Sequence, residues 1–112
     1  MKLPHAENAY VPEAKIVQYL LNLEHKSGGM DKAVYFMSFG FTLEDWQLLA
    51  KALLDHAEAY DIVNMIEKSE GVSYALEGEL MTPDGRNPRV RTVWAIDNES
   101  TSPRFITAYP AK

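Results

Sequence analysis

Residues 72–97 read VSYALEGELMTPDGRNPRVRTVWAID, and the pattern in this stretch organises the second half of the chain. On both sides of Thr82-Pro83-Asp84-Gly85 apolar and polar residues alternate, and many of them are β-branched or aromatic, which predicts two strands. Proline and glycine at these positions are typical of a tight turn between antiparallel strands. The stretch therefore predicts a β-hairpin with Gly85 at positive φ.

Opposite charges indicate the register of this hairpin. Glu77 opposite Arg91 and Glu79 opposite Arg89 would form two favourable pairs, with Tyr74 opposite Trp94. A slip of one residue would lose both charge pairs and would turn every apolar side chain to the wrong face. In the favoured register one face, predicted to meet the helices, carries Tyr74, Leu76, Leu80, Val90, Trp94 and Ile96. The opposite face carries Ala75, Glu77, Glu79, Arg89, Arg91 and Val93.

Helical patterns precede the hairpin. One helix is predicted to begin at Pro12, where a missing N–H is tolerated, and another to follow Thr42, which can cap it. Between them, residues 31–39 read DKAVYFMSF, a short apolar run that periodicity alone leaves open between helix and strand. We favour a helix, because Gly40 stands where a left-handed residue would end it.

These elements predict an α+β fold. About three N-terminal helices pack on one face of a C-terminal antiparallel sheet of three or four strands, with further strands near residues 62–67 and 104–109. We expect one domain over residues 1–112, with its helical part in 12–58 and its sheet in 61–109.

Composition narrows the possible functions. The chain has no cysteine, which excludes disulfides, thiolate metal sites and cysteine nucleophiles. It has neither a secretory signal pattern nor an apolar run long enough for a membrane span, so we expect a cytoplasmic protein without membrane partners. Asp and Glu outnumber Lys and Arg by 16 to 11, which disfavours RNA as a partner and favours another protein or a second copy of the chain.

Several residues could carry chemistry. The Glu–Arg face of the hairpin could grip a phosphate and supply a general base, although such a face is more often only a solvated surface. His25, in a loop that contains glycine, could act as a base near Lys32. His5 and His56 have no partner at metal-ligand spacing, so we expect surface histidines, no metal site and no cofactor.

Thr107 and Tyr109 lie on the same side of the predicted last strand. If odd-numbered residues of the last two strands pair with each other, both side chains stand beside Arg91. With the other parity they are buried or turned away. The irregular loop before the last strand leaves this choice open.

The chain resembles a bacterial family of small uncharacterised domains over nearly its whole length. The resemblance is carried by Lys15, Tyr19-Leu20-Leu21-Asn22, His25 with Gly28, Lys32-Ala33, Phe36, Gly40-Phe41, Trp46, Gly78, Pro83-Asp84-Gly85, Arg91-Thr92-Val93-Trp94 and Thr107-Ala108-Tyr109-Pro110. More distantly, a helical front followed by a sheet that ends in Thr-x-Tyr resembles the barnase- and RelE-like ribonuclease toxins. That second resemblance implies metal-independent RNA cleavage, with a catalytic set of His25, Lys32, Arg91, Thr107 and Tyr109.

Two functions follow from the sequence. The acidic balance, the small size and the absence of a strong catalytic motif favour a non-catalytic interaction or accessory module. The alternative is a metal-independent ribonuclease-like domain of a toxin-related family, which the second resemblance implies. Whether the protein is an enzyme is left open by the residues alone.

Overall fold

The computed structural model describes residues 1–24 and 29–111. Within these ranges a short 3₁₀ helix (Ala6–Asn8) and three longer helical segments come first and a four-stranded antiparallel sheet follows, so the fold is α+β as predicted. The helices are α1 (Glu13–Lys15, continued by a π-helical turn over Ile16–Leu20), α2 (Gly29–Met37) and α3 (Trp46–Ala59). The strands are β1 (Ile62–Lys68), β2 (Gly71–Glu79), β3 (Arg89–Asp97) and β4 (Arg104–Pro110). Within the described ranges, no helix is both long and apolar enough to cross a membrane.

The helix predictions are confirmed, with one later start and one irregular turn. The ambiguous segment is helical, and Gly40 follows it at φ 103. The Thr42 hydroxyl accepts a hydrogen bond from the Asp45 N–H at 3.1 Å, as a cap would, but Asp45 has φ −107 and ψ 43. Because this backbone is not helical, the third helix begins only at Trp46, later than predicted. In the first helix, the Leu21 N–H donates to the Ile16 carbonyl, five residues back, which widens that turn.

The sheet has the order β1-β2-β3-β4, and the hairpin register is the predicted one. Glu77 lies opposite Arg91, and Tyr74 lies opposite Trp94. Gly85 has φ 79, as expected for this turn. The two faces of the hairpin are therefore assigned as predicted, with the apolar face turned to the helices.

The register of β3 with β4 shows which face carries Thr107 and Tyr109, a question that the sequence left open. Arg91 lies opposite Tyr109, and Val93 lies opposite Thr107, so odd-numbered residues pair. Beyond Val93 the register shifts by one residue, and Trp94 lies opposite Phe105. This β-bulge turns Phe105 into the core although Thr107, only two residues later, faces outward.

A chain of buried hydrogen bonds joins α3 to the sheet, and the prediction of a surface His56 is wrong. His56 is 2% exposed, and its Nε2 lies 3.0 Å from the Val90 carbonyl oxygen and 3.2 Å from that of Gly78. Carbonyls only accept, so Nε2 carries the proton and Nδ1 accepts from the Thr92 hydroxyl at 3.1 Å. The Trp94 indole N–H donates to the same hydroxyl at 3.0 Å. Burial lowers the pKa of His56, against the opposite effect of the two carbonyls.

Candidate functional site

The outward face of the sheet brings several of the predicted residues into one row. Pairing across three strands places Glu77 next to Arg91 and Arg91 next to Tyr109. Thr107 stands two residues from Tyr109 on the same strand and therefore on the same face. The row runs from β2 to β4 and carries an acid, a cation and two hydroxyls.

The Arg91 guanidinium is bonded to Glu77, but this bond does not use all of its N–H donors. Its Nη1 donates to the Glu77 carboxylate at 3.0 Å, and the two side chains are 27% and 18% exposed. Arg89 approaches the other oxygen of the same carboxylate at 3.4 Å. Arg91 Nε is buried and has no hydrogen-bond partner among the described residues. Among the described residues Glu77 is bonded through Nη1 alone, and the side chain is 27% exposed, so the outer part of the guanidinium can still donate to an acceptor such as a phosphate oxygen.

A tyrosine from the first helix extends the row beyond β4. The hydroxyl oxygens of Tyr19 and Thr107 are 3.3 Å apart. Two ammonium groups approach the same ring, with Lys32 Nζ 5.5 Å and Lys15 Nζ 5.6 Å from its centroid. Lys32, from α2, is thus linked to Thr107 through Tyr19.

These neighbours change the acidity of Tyr19. Burial by itself raises the pKa of the phenol. The hydrogen bond with Thr107 and the charges of Lys32 and Lys15 favour the phenolate and outweigh burial, so the pKa lies below its ordinary value. A phenol of lowered pKa is a better proton donor at neutral pH, and its phenolate a more populated acceptor.

Local charge on this surface differs from that of the whole chain. The four charged residues of the hairpin's outward face have a net charge of zero, because two are glutamates and two are arginines. Lys15 and Lys32 add two positive charges at its β4 border. Counted over these six side chains the surface is positive by two, on a chain whose formal charge is −5.

Two concavities flank the contact between Arg91 and Tyr109. A hollow of about 350 Å³ is lined by both side chains together with Glu77, Pro110 and Ala111. A groove of about 120 Å³ lies on their other side and extends to β1. Arg91 and Tyr109 therefore line both concavities.

The structure places four of the five predicted site residues along this surface. Arg91, Thr107 and Tyr109 share one face, and Lys32 reaches it through Tyr19. His25 lies outside the described residues, and the catalytic roles of all five stay predictions. Within 1–24 and 29–111, no group of three or more His, Cys, Asp or Glu side chains is placed to hold a metal ion.

Sequence reasoning missed Tyr19 as a member of this surface. Its helical spacing with Ile16 and Leu20 predicts a core position. The signal that could have found it is its place between two lysines, at positions 15 and 32, that flank the loop containing His25.

Comparisons with known proteins agree with this fold. The chain is similar in structure to a chain of the "Contact-dependent growth inhibition toxin - immunity protein complex from Klebsiella pneumoniae 342", with a TM-score of 0.73 and 17% identity, over 96% of this chain and 97% of that one. At that identity the likeness shows the fold alone. The comparison with curated proteins gave no match. A family model matches residues 2–112, and the chain belongs to that family, described as "Domain of unknown function (DUF6883)".

Proposed function

We propose that the protein is a metal-independent ribonuclease-like domain related to toxins, with its active surface on the outward face of β3 and β4. The observation that carries the proposal is the pairing of Arg91 with Tyr109, because this parity alone puts Arg91, Thr107 and Tyr109 on one exposed face. The fold shared with a chain of a toxin–immunity complex supports it.

The reaction we propose is attack of a ribose 2′-oxygen on the adjacent phosphorus. The 2′-O–P bond forms while the P–O5′ bond breaks, a base takes the 2′ proton, and an acid protonates the departing 5′ oxygen. Arg91 would bind the phosphate, since Glu77 bonds its guanidinium through Nη1 alone and 27% of the side chain is exposed. Electrostatic stabilisation of this kind contributes about 100- to 1,000-fold in rate.

Proton transfer would use groups near the β4 border. Tyr19 has a lowered pKa and shares a hydrogen bond with Thr107, so a proton can pass between the two hydroxyls. Lys32 supplies positive charge beside that pair. Tyr109 offers a second phenol, and His25 stays the predicted base. General acid–base catalysis contributes about 100- to 10,000-fold.

RNA cleavage in the presence of a chelator tests the proposal. The purified protein should cleave at least one of several structured and unstructured RNAs, and Arg91→Ala should slow cleavage about 100-fold or more. Arg89→Ala is the matched control, because Arg89 also contacts Glu77 from the same strand and face but borders neither concavity. It should cleave within a few-fold of the unmodified protein. Absence of cleavage across the RNA set, or equal loss in both variants, would contradict the proposal.

A protein-binding module without catalysis is the second candidate, and the edge strand β1 favours it. Val63, Met65 and Ile66 are each about half exposed. In the described sheet β1 is an edge strand beside β2, and at its start the Ile62 N–H donates to the Met1 carbonyl at 2.7 Å. An apolar edge of this kind can pair with another chain. Sedimentation over a range of concentrations should then show self-association, or binding of a partner protein, that Met65→Lys abolishes and Glu67→Ala preserves.

A further inference from the structure

The groove beside Arg91 has the composition of a site for one flat ring. Its volume is about 120 Å³, well below the roughly 300–1,000 Å³ of pockets that enclose a whole drug-sized ligand. Ile66 and Val93 supply apolar walls, and the ring of Tyr109, 36% exposed, borders the side nearest the guanidinium. This space suits one small planar group placed against an aromatic ring.

Two neutral polar groups lie along the same groove. The Asn64 amide, from β1, offers both a donor and an acceptor, and the Ser73 hydroxyl, from β2, offers either. Neither side chain makes a hydrogen bond with any residue in the part of the chain that the structure describes. Apart from Arg91 the groove has no charged lining residue, so it is unsuited to a second phosphate.

A nucleobase has flat apolar faces and an edge of hydrogen-bonding groups, and the groove offers partners for both. In single-stranded RNA, unstacked bases commonly lie on aromatic rings while amide and hydroxyl groups read their edges. A phosphate bound at Arg91 in the larger hollow would leave its neighbouring base at the groove, because both concavities share Arg91 and Tyr109 as a common border.

We propose that this groove is a binding site for one unpaired nucleobase, held between Tyr109 and the wall formed by Ile66 and Val93 and read by Asn64 and Ser73. The inference rests on the proposed function, and it restricts the substrate to single-stranded RNA or to a base displaced from a helix. Paired bases are stacked within a duplex and would not reach the groove.

Binding of DNA oligonucleotides tests the groove apart from cleavage, because deoxyribose lacks the attacking 2′ hydroxyl. The probes are a short single-stranded oligodeoxynucleotide, an abasic strand with the same number of phosphates, and the duplex of the first strand. Base stacking on an aromatic side chain strengthens binding about 5- to 150-fold, so the strand with bases should bind at least about 5-fold more tightly than the abasic strand. The duplex should bind no more tightly than the abasic strand.

Groove variants locate the effect. The double variant Asn64→Ala, Ser73→Ala should reduce the preference for bases while leaving abasic binding unchanged. Glu67→Ala, an exposed change on the opposite face of β1, should preserve the preference. Arg91→Ala should weaken binding of both strands by the same factor, because it removes a phosphate contact. Circular dichroism melting curves should be recorded to check that each variant is folded.

The outcomes separate the two proposals. Preference for bases in a protein that cleaves no RNA supports the groove and contradicts the nuclease. Cleavage of RNA with equal affinity for base-containing and abasic strands overturns the groove and leaves the nuclease standing. A preference that survives the Asn64→Ala, Ser73→Ala change also overturns the groove, as does tight duplex binding.

Discussion

Replacing Thr92 by valine should strongly destabilise the fold, because one hydroxyl serves two buried partners. Valine has almost the same shape but leaves the Trp94 indole N–H and the His56 Nδ1 without a partner, in residues that are 0% and 2% exposed. Each buried polar group left without a partner costs about 1–3 kcal/mol, so the pair costs about 2–6 kcal/mol. We expect the lower part of that range, because the lost hydroxyl no longer needs to be desolvated on folding.

Urea unfolding at neutral pH, followed by far-ultraviolet circular dichroism, measures this change. A small protein has a urea dependence of about 1–3 kcal/mol per molar, so the midpoint should fall by roughly 1 M or more. Thr101→Val is the matched control, since Thr101 is exposed and its hydroxyl has no hydrogen bond with a described residue. It should unfold within about 0.5 kcal/mol of the unmodified protein. Equal midpoints for the two variants would refute a stabilising role of the buried chain.

Three further predictions concern pH, backbone space and ionisation. Because burial lowers the pKa of His56, the folded state binds fewer protons than the unfolded chain. The free energy of unfolding should therefore fall as the pH drops below about 6.5, by at most about 1.4 kcal/mol per pH unit. Urea unfolding at several pH values should show a shallower fall in His56→Gln, and equal slopes would contradict a buried neutral ring. Gly78→Ala places a Cβ in steric overlap with the ring of Tyr60. Gly85→Ala meets nothing within 4 Å and bears only the cost of left-handed backbone, about 1–2 kcal/mol. Thermal unfolding should therefore show the larger loss for Gly78→Ala, and the reverse order would count against the close packing. In an ultraviolet titration, Lys32→Ala should raise the pKa of Tyr19, and a titration unchanged by that substitution would disprove the electrostatic contact.

The hairpin could be predicted from sequence because several local signals agree. Alternation, turn residues and two opposite-charge pairs all select the same register, in which Glu77 faces Arg91. A slip would have been costly on every count. Features of this kind depend on residues close together in the chain and need no knowledge of the helices.

The strand β4 was predicted, but the face on which Thr107 and Tyr109 lie could not be, because the strand contains a β-bulge. Strict alternation would put Phe105, Thr107 and Tyr109 on one face, and the buried Phe105 would then imply a buried Tyr109. The bulge separates them, and only the paired strand shows where it lies.

The first and third helices show two other limits of pattern reading. The π-helical turn departs from the spacing of 3.6 residues, and Tyr19 within it contacts Thr107. Helical spacing would also place Leu23 in one apolar stripe with Ile16 and Leu20, but the helical segment ends at Leu20 and Leu23 is 50% exposed. His56 is buried because two strand carbonyls meet it, and such carbonyls are a product of tertiary structure that no side-chain pattern reveals.

The bulge in β4 also has a consequence for comparing relatives of this chain. Ile106 has no partner in the described ladder, while Phe105 and Thr107 face the neighbouring residues Trp94 and Val93. A homologue that lacks one residue here would keep the cross-strand neighbours of Arg91, Val93 and Trp94. Loss of one residue between Phe105 and Thr107 would therefore leave the strand pairing unchanged. In a sequence alignment, a one-residue gap at this position is preferable to a misaligned Thr-x-Tyr motif.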